Sequence, residues 1–326
     1  MTGIKEKLLS MVAPDLEKIE VALKDNLTPH LELVKETAGH LMFAGGKRLR
    51  PLLIVLSARI CGHEDAFVTK FASIFEFLHT ATLLHDDVID GASVRRGKPV
   101  AHSVYGAPVT VLTGDFLLAR ALNIAAESES MRIIKVVSGM TEEISQGEIQ
   151  QLIKKGDVSF SEEEYMDVIR RKTGVLIQGA CKTGAILANA SAGVEDALTR
   201  YGDHLGLVFQ IADDILDYTA DTKELGKTVG ADLREGKLTL PVIHALREAS
   251  PADRSRMEAI VANADFTKDE FNILLGLLEK YGGIDYAKTV AAAHVRKAKA
   301  QLEMFAPSGA RKTLEMMADY ALDRRV

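Results

Sequence analysis

Two acidic clusters of identical spacing stand far apart in the chain, Asp86-Asp87-x-x-Asp90 and Asp213-Asp214-x-x-Asp217. On an α-helix, positions i, i+1 and i+4 fall within about 100° of arc, one turn apart. Each cluster is therefore expected to project three carboxylates from one side of its helix. Like charges held this closely repel and call for counter-ions. Oxygen ligands without His or Cys suit a hard cation, Mg²⁺ ahead of Ca²⁺ or Zn²⁺. Mg²⁺ held by a few carboxylates keeps waters and completes its shell with phosphate oxygens. Two such clusters face to face would hold a diphosphate between them. A lone cluster is most often a solvated acidic face; two copies, each soon followed by basic residues, are not explained that way.

The elements that must position these carboxylates are helices. Apolar residues recur at helical spacing almost everywhere, which predicts helices at about 3–23, 27–44, 51–61, 64–90, 108–126, 129–154, 161–171, 174–190, 193–218, 238–248, 252–263, 268–280, 284–305 and 309–323. Breaks fall at Gly62, Gly91, Gly97 with Pro99, Gly156 with Asp157, and Pro307 to Gly309. Thr141 and Ser161 lead Glu-containing turns, the second in capping-box form. No alternating pattern persists long enough for a sheet. With no Trp, few aromatics and much Ala, Leu, Ile, Glu and Lys, the composition agrees. The expected architecture is all-α: one large helical bundle around a central cavity, residues 1–326 forming a single domain.

Composition narrows the function further. A net charge of −6 and the lack of a basic, aromatic-interleaved stripe argue against nucleic-acid binding. Cys61 and Cys181 are isolated, which fits reduced thiols in a cytoplasmic protein. No signal peptide and no uninterrupted apolar run of membrane-spanning length is evident, so the chain is expected to be soluble. One stretch differs from the helical pattern. Residues 219–238 set Gly226, Gly230 and Gly236 among Lys223, Lys227, Arg234 and Lys237, a basic, glycine-spaced loop suited to closing over phosphate.

Around the first cluster the sequence runs FLHTATLLHDDVID from Phe77 to Asp90, followed by Arg95-Arg96-Gly97 and preceded by GGKRLRP from Gly45 to Pro51. Around the second, GLVFQIADDILD from Gly206 to Asp217 precedes GKTVGADLREGK. These motifs, in this order over about residues 40 to 240, resemble those of the trans-isoprenyl diphosphate synthases. The resemblance implies an isoprenoid synthase type I fold and elongation of an allylic diphosphate with isopentenyl diphosphate. It implies that Asp86, Asp87, Asp90, Asp213, Asp214 and Asp217 bind three Mg²⁺ and, through them, the allylic diphosphate. Arg95, Lys172, Thr173, Gln210, Lys227 and Lys237 would contact that diphosphate or close over it. Gly46, Lys47, Arg50, His79 and Arg96 would bind the isopentenyl diphosphate. Glu148 and Gln151 share a helical face and either line the site or serve ordinary packing; His85 is read as structural.

The chemistry fits the residues. Ionising an allylic diphosphate leaves a highly charged leaving group, so electrostatic stabilisation carries more of the catalysis than any nucleophile. The double bond of isopentenyl diphosphate then attacks the cation and a proton is lost. No side chain is required as the base, and the family mechanism gives that task to the released diphosphate. Water must be excluded to protect the cation.

A growing tail needs a tunnel beneath the first cluster. Thr82, Ala81 and Leu78 lie four, five and eight residues before Asp86, on nearly the same face. Short-chain family members carry a bulky aromatic near the first two positions, and bacterial farnesyl synthases a two-residue insertion in the first motif. This chain has neither, and so resembles octaprenyl and other long-chain synthases. Farnesyl or geranylgeranyl diphosphate is the expected starter and a respiratory quinone side chain the expected use. Phe75, Phe77, Ile134 and Met140 are candidates for the floor. The alternatives are a short-chain (geranylgeranyl or farnesyl) synthase and a non-catalytic subunit of a heteromeric synthase, which usually loses one acidic cluster. A class I terpene cyclase would not need the GGKRLRP and RRG motifs, and a di-metal bundle would need Glu-x-x-His pairs. The family is typically homodimeric, and residues 108–154 have apolar surface enough to serve; contact with a membrane would be transient, for product release. Arg324 and Arg325 are read as a solvated end.

Overall fold

Helical periodicity in the sequence is realised as sixteen α-helices among the described residues, 3–219 and 230–323 of a computed structural model. Lys223, Gly226 and Lys227 of the basic loop, with Arg324 and Arg325, lie outside them. In chain order the helices are α1 (Ile4–Asn26), α2 (Glu32–Met42), α3 (Leu49–Ile60), α4 (Ala66–Ile89), α5 (Ala101–Tyr105), α6 (Ala107–Ala126), α7 (Met131–Ile153), α8 (Glu162–Ile169), α9 (Val175–Leu187), α10 (Ala192–Thr219), α11 (Ala231–Arg234), α12 (Leu240–Glu248), α13 (Pro251–Val261), α14 (Lys268–Lys280), α15 (Gly283–Gln301) and α16 (Gly309–Leu322). A π-turn, Arg170–Gly174, joins α8 to α9. The only strands among the described residues are the two-residue arms of a hairpin, Val94–Arg95 and Lys98–Pro99.

Each predicted segment corresponds to a helix, and the differences have local causes. The short α5, α11 and hairpin are too brief to carry a period. α2 starts at Glu32, later than predicted, after an extended Leu31. Ser161 does close a capping box with Glu164. Thr141 does not begin a helix: it lies inside α7 and its hydroxyl donates to Val137 O.

α10 serves two cores. Leu198, Tyr201, Leu205 and Val208 face the packing of α1, α3, α4, α6, α7, α9 and α16. Leu207, Ile211, Ile215 and Tyr218 face α8, α11 and α12 to α15. α4 is apolar nearly all round, with Phe71, Phe75 and Phe77 fully buried, as befits a central helix. Both acidic clusters thus ride on long helices fixed by burial over much of their length. α6 is long and apolar enough to cross a membrane by composition alone, at a mean hydropathy of 1.4. It carries Asp115 and Arg120 and packs one face, Leu117, Ala121 and Ile124, into the core, while Leu112 and Leu122 stay exposed.

Behind the site, His204 on α10 and His294 on α15 meet Nδ1 to Nδ1 at 3.2 Å. Burial lowers both, with Lys297 and Arg170 adding to it and Asp203 opposing it; Arg200 also bears on His204, and His204 on His294. His294 is lowered to about 4. A histidine lowered in the fold contributes stability that is present above its unfolded value near 6.5 and lost as pH falls towards 4. Between pH 7.5 and 5, this group is expected to cost the wild type about 2 kcal/mol. Thermal unfolding across that range should show less loss in His294→Asn; parallel curves would contradict the assignment.

Candidate active site

A cavity of about 1300 Å³ separates α4 and α7 from the π-turn, α10 and the segment after α11. Asp86 and Asp90 line one wall and Asp213 and Asp214 the other. The walls are within reach of one side chain. Lys237, which follows α11, donates to Asp90 Oδ2 at 3.0 Å, and Lys155, at the end of α7, to Asp90 Oδ1 at 3.1 Å. Lys237 also donates to Glu235. A backbone bond from Gly156 N to Gly236 O, 2.8 Å, ties the two lysine-bearing segments together.

The three carboxylates of each cluster do not all face the cavity. Asp87 is 1% exposed, does not line the cavity, and accepts from Arg95 Nε at 2.7 Å. Being about 100° round the helix from Asp86, it falls on the flank that the Val94–Pro99 hairpin covers. Asp217 also stands back: its two oxygens accept the backbone N–H groups of Ala231 and Asp232 at 3.2 and 3.1 Å. The start of α11 offers exactly the unpaired amides that attract a carboxylate, and Asp217 takes them. Asp214 lines the cavity but is 3% exposed and doubly bonded, to Tyr165 Oη at 2.6 Å and Gln210 Nε2 at 2.7 Å.

The charge balance is uneven. Burial raises Asp86 to about 6; Lys172 opposes this, and Glu148 and Asp90 add to it. Burial and Asp232 drive Asp214 well above the usual carboxylate range against the hydrogen bonds from Tyr165 and Gln210. Burial also works to raise Asp90, but Lys237 and Lys155 outweigh it and hold its carboxyl low. On Lys237 burial is likewise overcome, by Glu235 and Asp90, so its ammonium is strengthened. An all-oxygen donor set short of positive charge suits a hard divalent cation, and Lys155 and Lys237 already stand as cations on Asp90. Among the described residues no group of three or more His, Cys, Asp or Glu side chains closes on one metal position. A cation at Asp86, Asp90 or Asp213 would therefore fill its shell from water or a bound ligand.

Lys172 and Thr173 sit in the π-turn and line the cavity with Gln210. Lys172 Nζ is held by Glu148 at 2.5 Å and Gln151 at 2.8 Å, so both polar residues of α7 do line the site. Thr173 Oγ1 donates to Gln210 Oε1 at 2.7 Å. The π-turn reaches this position because Gly206 of α10 lies directly against Gly174: a Cβ at 206 would come 2.6 Å from Gly174 Cα. Backbone cannot yield as a flexible side chain does. Gly206→Ala is expected to cost about 1–3 kcal/mol and to displace Lys172 and Thr173. Thermal unfolding and the KM for the anionic substrate should both move, and two unchanged values would refute the contact.

The same cavity has a basic part: Leu49, Arg50, His79, Arg95 and Arg96 also line it. Burial, then Arg50, Arg96, Arg95 and Arg48, push His79 far down, so its imidazole is neutral. Gly46 touches this group: a Cβ there would lie 3.2 Å from Arg48 Nη1 and 3.6 Å from Arg96 Nη1. Lys47 does not line the cavity; its Nζ lies 5.3 Å from the ring centroid of Tyr320 on α16. Arg48 turns inward in a left-handed conformation, donating to Glu20 at 2.5 Å, Glu76 at 2.6 Å and Met42 O at 2.7 Å. It anchors the start of α3, whose second residue is Arg50. Arg96, also left-handed, donates to Gly45 O.

Of the predicted tunnel residues, Thr82 lines the cavity, while Ala81 and Leu78 are packed in the core. The apolar lining beside Thr82 comes from Leu83, Ile144, Leu176, Ile177 and Phe209. Met140 packs on Gly179, and Phe75 and Phe77 are buried, away from this surface. His85 sits against Gly114 of α6, its Nε2 3.0 Å from Val111 O and 3.5 Å from Asp115. Sequence reasoning missed Lys155, Tyr165, Asp232 and Glu235. Lys155 follows Glu148 and Gln151 at seven and four residues, a spacing that shares their face; Tyr165 carried no such signal.

With this geometry in place, comparison with known proteins is specific. A polyprenyl synthetase family model matches residues 31–277. The octaprenyl diphosphate synthase of Haemophilus influenzae is 35% identical over 98% of this chain and 97% of its own. A short chain isoprenyl diphosphate synthase of Methanothermobacter thermautotrophicus is 38% identical over 94% of each. The crystal structure of a polyprenyl synthase from Caulobacter crescentus, complexed with calcium and isoprenyl diphosphate, superposes with a TM-score of 0.93 at 38% identity, covering 99% of this chain and 98% of that one. The chain belongs to the polyprenyl synthetase family, all-α prenyltransferases of the isoprenoid synthase fold that make polyprenyl diphosphates.

Proposed function

We propose that the chain is a Mg²⁺-dependent head-to-tail synthase that adds isopentenyl diphosphate to farnesyl or geranylgeranyl diphosphate, making an all-trans medium- or long-chain product. The observation that carries this reading is the lining of one cavity by both acidic clusters, with Lys237 on Asp90 and the arginines Arg50, Arg95 and Arg96 on the same cavity's surface. Asp86, Asp90 and Asp213 offer the cavity-facing oxygens for divalent ions, about three when substrate is bound. Asp87, Asp214 and Asp217 hold, in turn, Arg95, Gln210 and the start of α11. The Caulobacter relative's calcium and isoprenyl diphosphate support both metal and ligand class.

Bound metal would neutralise the allylic diphosphate and stabilise its departing charge. Lys172, Thr173, Gln210, Arg95 and Lys237 orient that diphosphate, and Lys227, outside the described residues, closes over it. Arg50, Arg96 and neutral His79 seat isopentenyl diphosphate, with Gly46 and Lys47 shaping the loop; Arg engages phosphate oxygens in pairs. The released diphosphate is the proton acceptor. Residues 1–326 act as one catalytic domain, in the cytoplasm. The exposed apolar face of α6 is covered by a second copy, and the product serves a quinone side chain after transient membrane contact.

Relatives of similar identity make products of different length, so the small Ala81 and Thr82 carry the length assignment. The tail passes them as Leu78 and its neighbours give way. Ala81→Tyr is expected to shorten the product towards farnesyl or geranylgeranyl length, by mass analysis of the dephosphorylated alcohols; an unchanged distribution would count against this path. Activity itself is tested by incubating purified protein with Mg²⁺, labelled isopentenyl diphosphate and each allylic starter. Labelled products longer than geranylgeranyl support the proposal; no incorporation with any starter overturns it.

A further inference from the structure

The hydroxyl of Tyr165 has no part in the scheme above, yet it is buried against the second wall. Tyr165, on α8, is 2% exposed and its ring lies in the core with Leu207 and Ile211. Its Oη donates to Asp214 Oδ2 at 2.6 Å, while Gln210 Nε2 donates to Asp214 Oδ1 at 2.7 Å and Thr173 Oγ1 to Gln210 Oε1 at 2.7 Å. This chain has one direction. With Asp214 ionised, a turned-over Gln210 would set its carbonyl oxygen against a carboxylate oxygen, acceptor on acceptor. Asp214 therefore fixes the amide, the amide oxygen accepts the hydrogen bond from Thr173 Oγ1, and the second N–H of Gln210 remains for a ligand in the cavity that Gln210 lines.

Asp214 can do this only while it is itself fixed. Without the phenol, Oδ2 would be a buried acceptor without a donor, a costly state. The carboxylate, next to Asp213, would then gain by turning towards the cavity and any cation there, releasing Gln210. Asp87 is held in the same way by Arg95 on the opposite wall.

We infer that Tyr165 is a positioning residue for the allylic diphosphate: through Asp214 it holds Gln210 and Thr173 in their binding orientation and keeps Asp214 off the metal. The inference rests on the function proposed above. Tyr165→Phe keeps the ring and removes the donor. It is expected to raise the KM for the allylic diphosphate by about tenfold, the loss of one hydrogen bond to a charged group. The KM for isopentenyl diphosphate should stay within about twofold, since a packing defect would move both. In a Gln210→Ala background the same substitution should raise the allylic KM by clearly less than about tenfold, because the part of its effect that passes through Gln210 is already lost. An allylic KM near wild type, equal rises for both substrates, or an undiminished effect in the Gln210→Ala background would each overturn the inference.

A second measurement does not depend on how the variant folds. In crystals of the wild type with Mg²⁺ and farnesyl thiolodiphosphate, Tyr165 should still bond Asp214, with no metal on Asp214 and Gln210 Nε2 on a diphosphate oxygen. A metal on Asp214 with Tyr165 displaced would overturn it. An inactive wild type would overturn the parent reading and this inference together; an active enzyme indifferent to Tyr165→Phe overturns this inference alone.

Discussion

Asp213→Ala is expected to lower kcat/KM by about 10³-fold or more, the scale of removing one electrostatic stabiliser of a developing negative charge. Asp213 is the exposed member of its cluster and lines the cavity, whereas Asp214 and Asp217 are buried and bonded. Its loss should therefore leave the fold nearly intact and remove the second wall's oxygens from the metal. Asp86→Ala should act equally, from the other wall. Asp87→Ala is a different case: it frees Arg95 and leaves a cavity at a site 1% exposed, so part of its effect should appear as lost stability. Steady-state kinetics with thermal unfolding separate the two classes. A fully active Asp213→Ala enzyme would contradict the assignment.

Arg50→Met is expected to raise the KM for isopentenyl diphosphate by roughly 10²-fold while the allylic KM changes little, the worth of one charge-assisted bidentate contact. Burial first, and then four arginines, Arg50, Arg96, Arg95 and Arg48, keep His79 neutral. A pocket that crowds cations around a neutral imidazole is poised for an anion. Arg48 does not share this role, because Glu20 and Glu76 already engage its guanidinium. Arg48→Met should destabilise the protein, since it strands two carboxylates, and affect both substrates together. Equal effects of Arg50→Met on the two KM values would remove the distinction between the anion sites.

Much of this was legible in the sequence because the fold is helical and the chemistry is acidic. Periodicity alone placed the helices, and the repeated Asp spacing marked the two walls. What the sequence could not supply was the direction of individual side chains within each motif. Asp87 and Asp86 are neighbours of one type, but the hairpin two turns later claims one of them. Asp217 is turned by the amides of α11, a helix of four residues too short to show a period. Arg48 and Arg50 differ only in that a left-handed backbone at Arg48 sends its side chain inward. Tyr165 was silent because a tyrosine on the apolar face of an acidic helix ordinarily marks core, and only Asp214 at 2.6 Å gives its hydroxyl a purpose. The tunnel was the least legible part: helical spacing put Leu78, Ala81 and Thr82 on one face, but packing below Thr82 decides how far that face is open.

The most direct test is a calorimetric titration of farnesyl thiolodiphosphate into wild type, Asp86→Ala, Asp213→Ala and the double variant, with and without Mg²⁺. If ions bridge the two walls through one diphosphate, wild-type affinity should depend on Mg²⁺, either single substitution should abolish that dependence, and the double variant should lose nothing more. Tight binding without metal, or metal-dependent binding that survives the loss of either wall, would contradict the account.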